Sequence, residues 1–396
     1  MAHEVVTNRT MISSHQASEL TDSIVMNGGT PAWHGLGVTI EEDISATEAA
    51  QKYGMAWPVD SYELMAVNPE YLMIQRKLKR SLNEGDIEGS RELFSELERM
   101  RLQVETHMAN VRVDNIDGQD IKSILGVVGK DYKIAQNLEL AEFTDALAQT
   151  GEVKIESAGT IRGGKRIWFL VRGESMNIGG ADEVFPYIMV SNGHDGGSSI
   201  RVTPTTIRTQ CSNTFHMVVP RGENWGSKKA ENAAIVMRHS GNLKDKLSAA
   251  REAIRQYDVI RRRNLELFNM MNDKEIDRDL AKKLFAKSYV NEGFAVATEI
   301  ELMSENMGIR KRAEKRMARM QDACTAFLNR YDRERAETGN GETAWMVFNG
   351  LSGYYQHDRG MGGKDDAERL SKKMDQNLFG LGADRAHRAM ELVLAV

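Results

Sequence analysis

Val153-Lys154-Ile155-Glu156-Ser157 and Arg166-Ile167-Trp168-Phe169-Leu170-Val171 are two β-rich runs, with Gly163-Gly164 between them. A two-residue hairpin turn needs positive φ at its central positions, which glycine adopts without a Cβ penalty. The spacing therefore predicts an antiparallel hairpin. Downstream, Val184 to Ser191 and Ser199 to Arg208 form a second strand pair around the turn-rich Asn192-Gly193-His194-Asp195-Gly196-Gly197. Strands joined by short links pair antiparallel, because a parallel crossover needs a dozen residues or more.

Working back toward the start, Val111 to Val113 and Ile124 to Val128 are two more β-rich runs, followed by Asn137 as an N-cap for a helix from Leu138 to Gln149. Charged residues surround Leu72, Leu78, Leu82, Leu93, Leu97 and Met100, which predicts a helical hairpin broken near Gly85 and Gly89 and inserted into the fold. Ser45-Ala46-Thr47-Glu48 is a capping-box pattern opening a short helix, and Met55 to Val67 alternates as one or two strands. The glycines of the Thr30 to Gly37 segment mark an ordered loop.

After Gly226 the apolar period changes from two to about 3.6. Leu243, Leu247, Ala250, Ile254 and Tyr257 make one amphipathic stripe; Ile309, Ala313, Met317, Met320, Cys324, Phe327 and Tyr331 make another. A helix around Trp345 to Tyr355 and a final Ala/Leu-rich helix from about Asp384 close the chain. The fold class expected is α+β, a central antiparallel β-sheet with packed helices followed by a long-helix C-terminal region. Its divisions are an N-terminal loop and small α/β segment (1–69), a charged helical insertion (70–109), a central antiparallel sheet domain (110–226) and a helical C-terminal region (227–396).

The 396 residues suffice for two or three domains. With 41% hydrophobic and 28% charged residues, the composition is that of a globular protein. The first residues lack the basic and apolar regions of a secretory signal, and no run is apolar enough for a membrane span, so a cytoplasmic protein is expected. Two cysteines, Cys211 and Cys324, exclude a disulfide framework and a four-cysteine zinc site. The net charge of −5 hides a polarity: from Arg238 to Arg335 there are 22 Lys and Arg against 16 Asp and Glu. Such a region binds a polyanion or simply presents solvated helix faces.

Several segments in order resemble the phage/plasmid-like proteins of a widespread uncharacterised bacterial domain family. They are Thr30 to Gly37, Leu125-Gly126-Val127-Val128 leading to Tyr132 and Gln136-Asn137, Ser191 to Gly196, and Arg208 to Thr214. Arg238-His239-Ser240-Gly241, Thr343-Ala344-Trp345 with Asn349, and Leu378 to Gly382 complete the set. The resemblance implies a protein of phages, prophages or conjugative plasmids in a bacterial host. Proteins of such elements commonly serve replication, recombination or evasion of host defence.

The residues themselves offer a polyanion site. Arg201 and Arg208 would pair with phosphates through guanidinium contacts, with Asn192, His194 and Asn213 adding positional bonds. Lys130, Lys133, Arg162, Lys165 and Arg166 extend the surface, and Tyr132, Trp168 or Phe215 would stack on unpaired bases at roughly 1–3 kcal/mol each. The plainer alternative makes Trp168 and Phe215 core, Asn192 and Asp195 turn formers and the arginines structural. The function expected is binding of single-stranded DNA, or RNA, in annealing or recombination. No catalytic residue, cofactor or metal is assigned, and the partners are further copies of the chain and phage or host recombination proteins. Two alternatives stand beside it: a protein-interaction factor such as a counter-defence effector, and a hydrolase using Cys211 with His194 or His216 as base and Asn213 or Asp195 as orienter. Gly163-Gly164-Lys165 is no phosphate-binding loop, because it sits in a hairpin with no helix N-terminus behind it.

Overall fold

The computed structural model describes residues 23–27, 38–40, 44–116, 119–148, 154–180, 182–208, 214–216, 218–219, 231–232, 235–240, 257–289, 292–360, 362–364, 368–369, 372–373, 376 and 381–396. Strands β1 (Ser23–Asn27) and β2 (Val38–Ile40) are followed by helix α1 (Ala46–Lys52) and β3 (Val59–Ala66). Helices α2 (Pro69–Asn83) and α3 (Ile87–Met100) then lead into β4 (Leu102–Ile116), β5 (Gln119–Gly129) and α4 (Asn137–Ala148). A run of strands comes next: β6 (Lys154–Ile161), β7 (Arg166–Arg172), β8 (Met176–Ile178), β9 (Asp182–Gly193) and β10 (Ile200–Arg208). The short β11 (Thr214–His216), β12 (Val218–Val219), β13 (Glu231–Asn232) and β14 (Ile235–Met237) end the β-region. Helices α5 (Tyr257–Asp273), α6 (Arg278–Tyr289), α7 (Glu292–Leu302), α8 (Met307–Thr338), α9 (Ala344–Gly353) and α10 (Leu381–Leu394) make the C-terminal region.

Nine strands form one sheet in the order β11-β10-β9-β7-β6-β1-β2, with β14 on β10 and β8 on β9. Its pairings are antiparallel except for β1 with β2. The β6–β7 hairpin closes through Gly163 (φ 66) and Gly164 (φ 86), with Lys165 N–H donating to the Arg162 carbonyl at 3.3 Å. This is the tight turn the glycine pair demands. Strand β7 is buried on both faces, from Ile167 to Val171. An uninterrupted apolar run is what a strand covered on both sides requires.

One continuous core joins the sheet to the helices. It contains Ile167, Phe169 and Val190 from the sheet, Ala49 and Phe143 from α1 and α4, and Phe327, Phe348 and Val393 from the C-terminal helices. All ten residues of α9 are buried. Its Trp345 indole donates to the buried Asp182 carboxylate at 2.7 Å, tying the helical region to the start of β9. The sheet and the C-terminal region therefore fold around the same apolar centre.

The β-rich runs before Asn137 go elsewhere. Strands β3, β4 and β5 form a separate three-stranded antiparallel sheet. The boundary expected at 109/110 falls inside β4, which runs unbroken from Leu102 to Ile116. The helical hairpin does sit between β3 and β4, turning at Gly85 (φ 74), and packs on itself through Tyr71, Ile74 and Leu97. Sheet and hairpin together make an arm on the body.

The Ser45 capping box is formed, with the Ser45 hydroxyl accepting from Glu48 N–H and Glu48 accepting from Ser45 N–H. Helix α8 carries the expected stripe, buried at Ala313, Phe327 and Tyr331. Most of the stripe from Leu243 to Tyr257, the Trp33 loop and the Leu378 to Gly380 motif lie outside the described residues. No helix among the described residues is long and apolar enough to cross a membrane.

Candidate nucleic-acid interface

The arm meets the body at a seam that is mostly polar. Trp57, Val59 and Leu125 form a small apolar patch there. Around it, the Arg112 guanidinium stacks on the Trp57 ring at 4.6 Å and binds both oxygens of Asp114, at 2.6 and 3.1 Å. Two glycines let the backbones close. A Cβ on Gly126 would fall 2.6 Å from the Asp195 Cα, and one on Gly164 would fall 2.7 Å from the Trp57 ring.

At the centre of the seam lies a nest of buried polar side chains. Asn110 donates to the His194 carbonyl at 2.9 Å, and Asn192 to the Ala135 carbonyl at 3.1 Å. The Asn137 amide donates to the Met55 carbonyl at 2.8 Å, which fixes its Oδ1 as the acceptor facing His194 Nε2 at 2.9 Å. The His194 proton therefore sits on Nε2. Burial, with His239 nearby, pushes the His194 pKa down to about 3, so the ring is neutral. Among the described residues its Nδ1, the Asn110 and Asn192 carbonyl oxygens and the Trp57 indole N–H have no hydrogen-bond partner.

These contacts correct several expectations. Asn192 and His194 are buried, so they brace the seam and do not reach a phosphate. Trp168 is fully buried and cannot stack on a base. Tyr132 is committed too: its hydroxyl donates to the Gly193 carbonyl at 2.8 Å and its ring stacks on His239 at 4.3 Å. Burial holds its phenol protonated. Asn137 is the nest's link and no helix cap; instead, Gln136 N–H is met by Glu139 at 2.9 Å. Asp195 accepts from Gly197 N–H at 2.9 Å, a turn bond.

The cationic residues divide by position. The segment carrying Lys165 and Arg166 meets the loop from Gly193 to Ser199 directly, the segment carrying Lys130 and Lys133 meets it through Tyr132, and His239 packs on Tyr132. The Lys165 backbone carbonyl accepts from His194 N–H at 2.8 Å, and Arg166 stands opposite Gly193 in the ladder. Lys133 N–H donates to the His239 carbonyl at 2.9 Å, which places Lys133 beside Arg238. Lys130, Lys133, Arg162, Arg201 and Arg238 are exposed, and Lys165 and Arg166 are half-buried. Arg208 does not join them. It stands seven residues beyond Arg201 in an unbroken register, about 23 Å along the strand. Asn213 and Cys211 lie outside the described residues, and of His216 and Phe215 only the β11 backbone is described.

Sequence reasoning missed Arg238, Arg112, Trp57 and Asn110 as parts of this place. Arg238-His239 stood in the motif that carried the family resemblance, which was the available signal. Among the described residues no three His, Cys, Asp or Glu side chains gather as a metal site.

No curated protein and no solved structure matches the chain. A family model does, over residues 124–379, which takes in the second half of β5, the nine-stranded sheet from β6 onward, the glycine loop and most of the C-terminal helices while leaving out β1 to β4, α1 and the helical hairpin. The chain belongs to the DUF932 family, a domain of unknown function.

Proposed function

We propose that the protein binds single-stranded nucleic acid along the cationic rim of the seam, without doing chemistry on it, in annealing or recombination. The observation that carries this reading is the placing of five cations about one loop: Lys165 and Arg166 lie against Gly193 and His194, Lys130 and Lys133 flank Tyr132, whose hydroxyl bonds Gly193, and Arg238 precedes His239, on which Tyr132 stacks. Beneath it, the buried Asn110, Asn137, Asn192 and His194 hold the segments in place. Five cations about one loop, against the carboxylates of Asp131 and Asp195, suit a chain of phosphates. With Trp168 buried and the half-buried Tyr132 held by Gly193 and His239, contact goes chiefly to the backbone, and sequence preference is weak. The resemblance to phage/plasmid-like proteins supports a mobile-element setting, in the cytoplasm of a bacterial host.

A protein-interaction role for the basic C-terminal helices is less well supported, because part of that charge is spent within the chain. Arg330 is buried against Asp358 and Glu334, Arg278 pairs with Asp332, and Arg335 pairs with Glu342.

Fluorescence anisotropy with single- and double-stranded oligonucleotides tests the reading. Wild-type protein is expected to bind the single strand at micromolar concentration or tighter, and Lys130→Glu/Lys133→Glu/Lys165→Glu to lose at least tenfold in affinity while keeping its circular dichroism. Binding that the triple variant leaves unchanged would remove the rim from consideration.

A further inference from the structure

We propose that the α2–α3 hairpin is a self-complementary contact surface for a second copy of this chain, two hairpins closing as a four-helix bundle. This goes beyond nucleic-acid binding and stands independently of it. Nearly half of the large apolar side chains exposed among the described residues fall between Met65 and Leu102. The hairpin buries a single row on each helix, Tyr71, Ile74 and Leu78 on α2 and Leu93, Leu97 and Met100 on α3. That row joins the two helices and leaves their sides open.

The exposed residues on one side form a pattern. Along α2, Leu72, Gln75, Lys79 and Leu82 follow i, i+3, i+7, i+10; along α3, Ile87, Arg91, Phe94 and Glu98 follow i, i+4, i+7, i+11. The α2 stripe lies about 90° from its buried row and the α3 stripe about 120° from its own, in the same rotational sense. In antiparallel helices, turns of the same sense bring both stripes to one side of the hairpin. All eight residues are exposed.

This side matches itself about a twofold axis. Leu72 and Leu82 are placed evenly about the middle of α2, as are Gln75 and Lys79. Phe94 sits at the middle of α3, with Arg91 and Glu98 on either side of it. When a second hairpin is laid across with its tip reversed, Leu72 meets the partner's Leu82, Phe94 meets the partner's Phe94, and Arg91 meets the partner's Glu98. Charge and apolar matches thus fall together, which is the requirement of an isologous interface. Glu98 also pairs with Arg101 of its own chain at 2.7 Å, a solvent-exposed contact that competes weakly. A partner of uniform charge would match Arg91 or Glu98 but not both.

Two helices about 20 Å long and about 10 Å apart give a face on the order of 400 Å² in plan. That is small beside the ~800 Å² per partner of a standard interface. The dimer is therefore expected to form in the micromolar range.

Sedimentation velocity on the full chain from about 1 to 100 µM tests the interface. Wild type is expected to shift from monomer to dimer. Phe94→Glu, at an exposed position on the axis, is expected to raise the dimer Kd at least tenfold with unchanged circular dichroism. Arg91→Glu and Glu98→Arg should each weaken the dimer, and the double swap Arg91→Glu/Glu98→Arg should regain most of the loss. A chain monomeric at 100 µM, a dimer indifferent to Phe94→Glu, or single swaps that the double swap does not restore would each overturn the proposal.

Discussion

The two sheets are built from the same kinds of residue and do opposite things. In the nine-stranded sheet, β7 is covered on both faces, and Trp168 and Phe169 point in opposite directions into buried surroundings. In the three-stranded sheet, Ile124 and Val127 stand 66% and 52% exposed on a strand just as rich in valine and isoleucine. Apolar content makes a strand, but the surrounding elements decide whether it becomes core. The body has α1, α4 and the C-terminal helices packed into one centre with its sheet, whereas the arm touches the body across hydrogen bonds, close glycines and a small apolar patch. Stability is accordingly concentrated in the body, and the cations of the proposed rim lie where body and arm meet.

The largest expected contrast is between core positions and the arm's surface. Phe348→Ala, at 1% exposure within the shared core, should lower unfolding stability by about 3–5 kcal/mol. Chemical denaturation would show it, and a cost under about 1 kcal/mol would mean that the C-terminal helices and the sheet do not share one core.

Acid should weaken the seam next. The folded pKa of His194, about 3, lies below its ordinary value of 6.5, so the unfolded chain takes up that proton first as pH falls. The contribution is intact above about pH 6.5 and is lost progressively toward pH 3, by about 1.4 kcal/mol per unit. His194→Gln, which cannot titrate, should be less stable at pH 7 and lose less between pH 6.5 and 4.5. Parallel pH profiles for the two proteins would show that His194 does not titrate out of a buried site.

Gly126→Ala sharpens the same comparison at smaller cost. Its methyl meets the Asp195 backbone, which cannot swing aside, and about 1–3 kcal/mol of strain is expected. Hydrogen exchange should locate the effect in β5 and the loop from Gly193 to Ser199, with the amides of α9 unchanged. Smallest of all, Ile87→Ser at 71% exposure on the arm should shift the stability of dilute monomer by no more than about 0.5 kcal/mol.

Local features of the fold were legible because their causes are local. The Gly163-Gly164 turn, the Ser45 capping box and the α2–α3 hairpin each depend on residues a few positions apart, whose backbone demands are visible in the sequence. The membership of β4 and β5 in a second sheet was not legible, since it depends on β3 returning across the helical hairpin to pair with β4. The site was half legible. Lysines and arginines mostly stay at the surface, so Lys130, Lys133 and Arg162 were found as cations, whereas Arg112, buried against Trp57 and Asp114, was not. His194 and Asn192 read as surface groups within reach of a phosphate, because what buries them is remote: Asn110 bonds His194 across 84 positions and Asn137 across 57.

The central claim is that the seam's rim holds a polyphosphate strand, and its most direct test is the salt dependence of single-strand binding. Each phosphate contact contributes about 0.7 to the slope of log affinity against log salt. Wild-type binding should weaken steeply as salt rises, and Lys130→Glu/Lys133→Glu/Lys165→Glu should flatten the slope by about 2. Equal slopes for the two proteins, or no binding by wild type at low salt, would contradict the account.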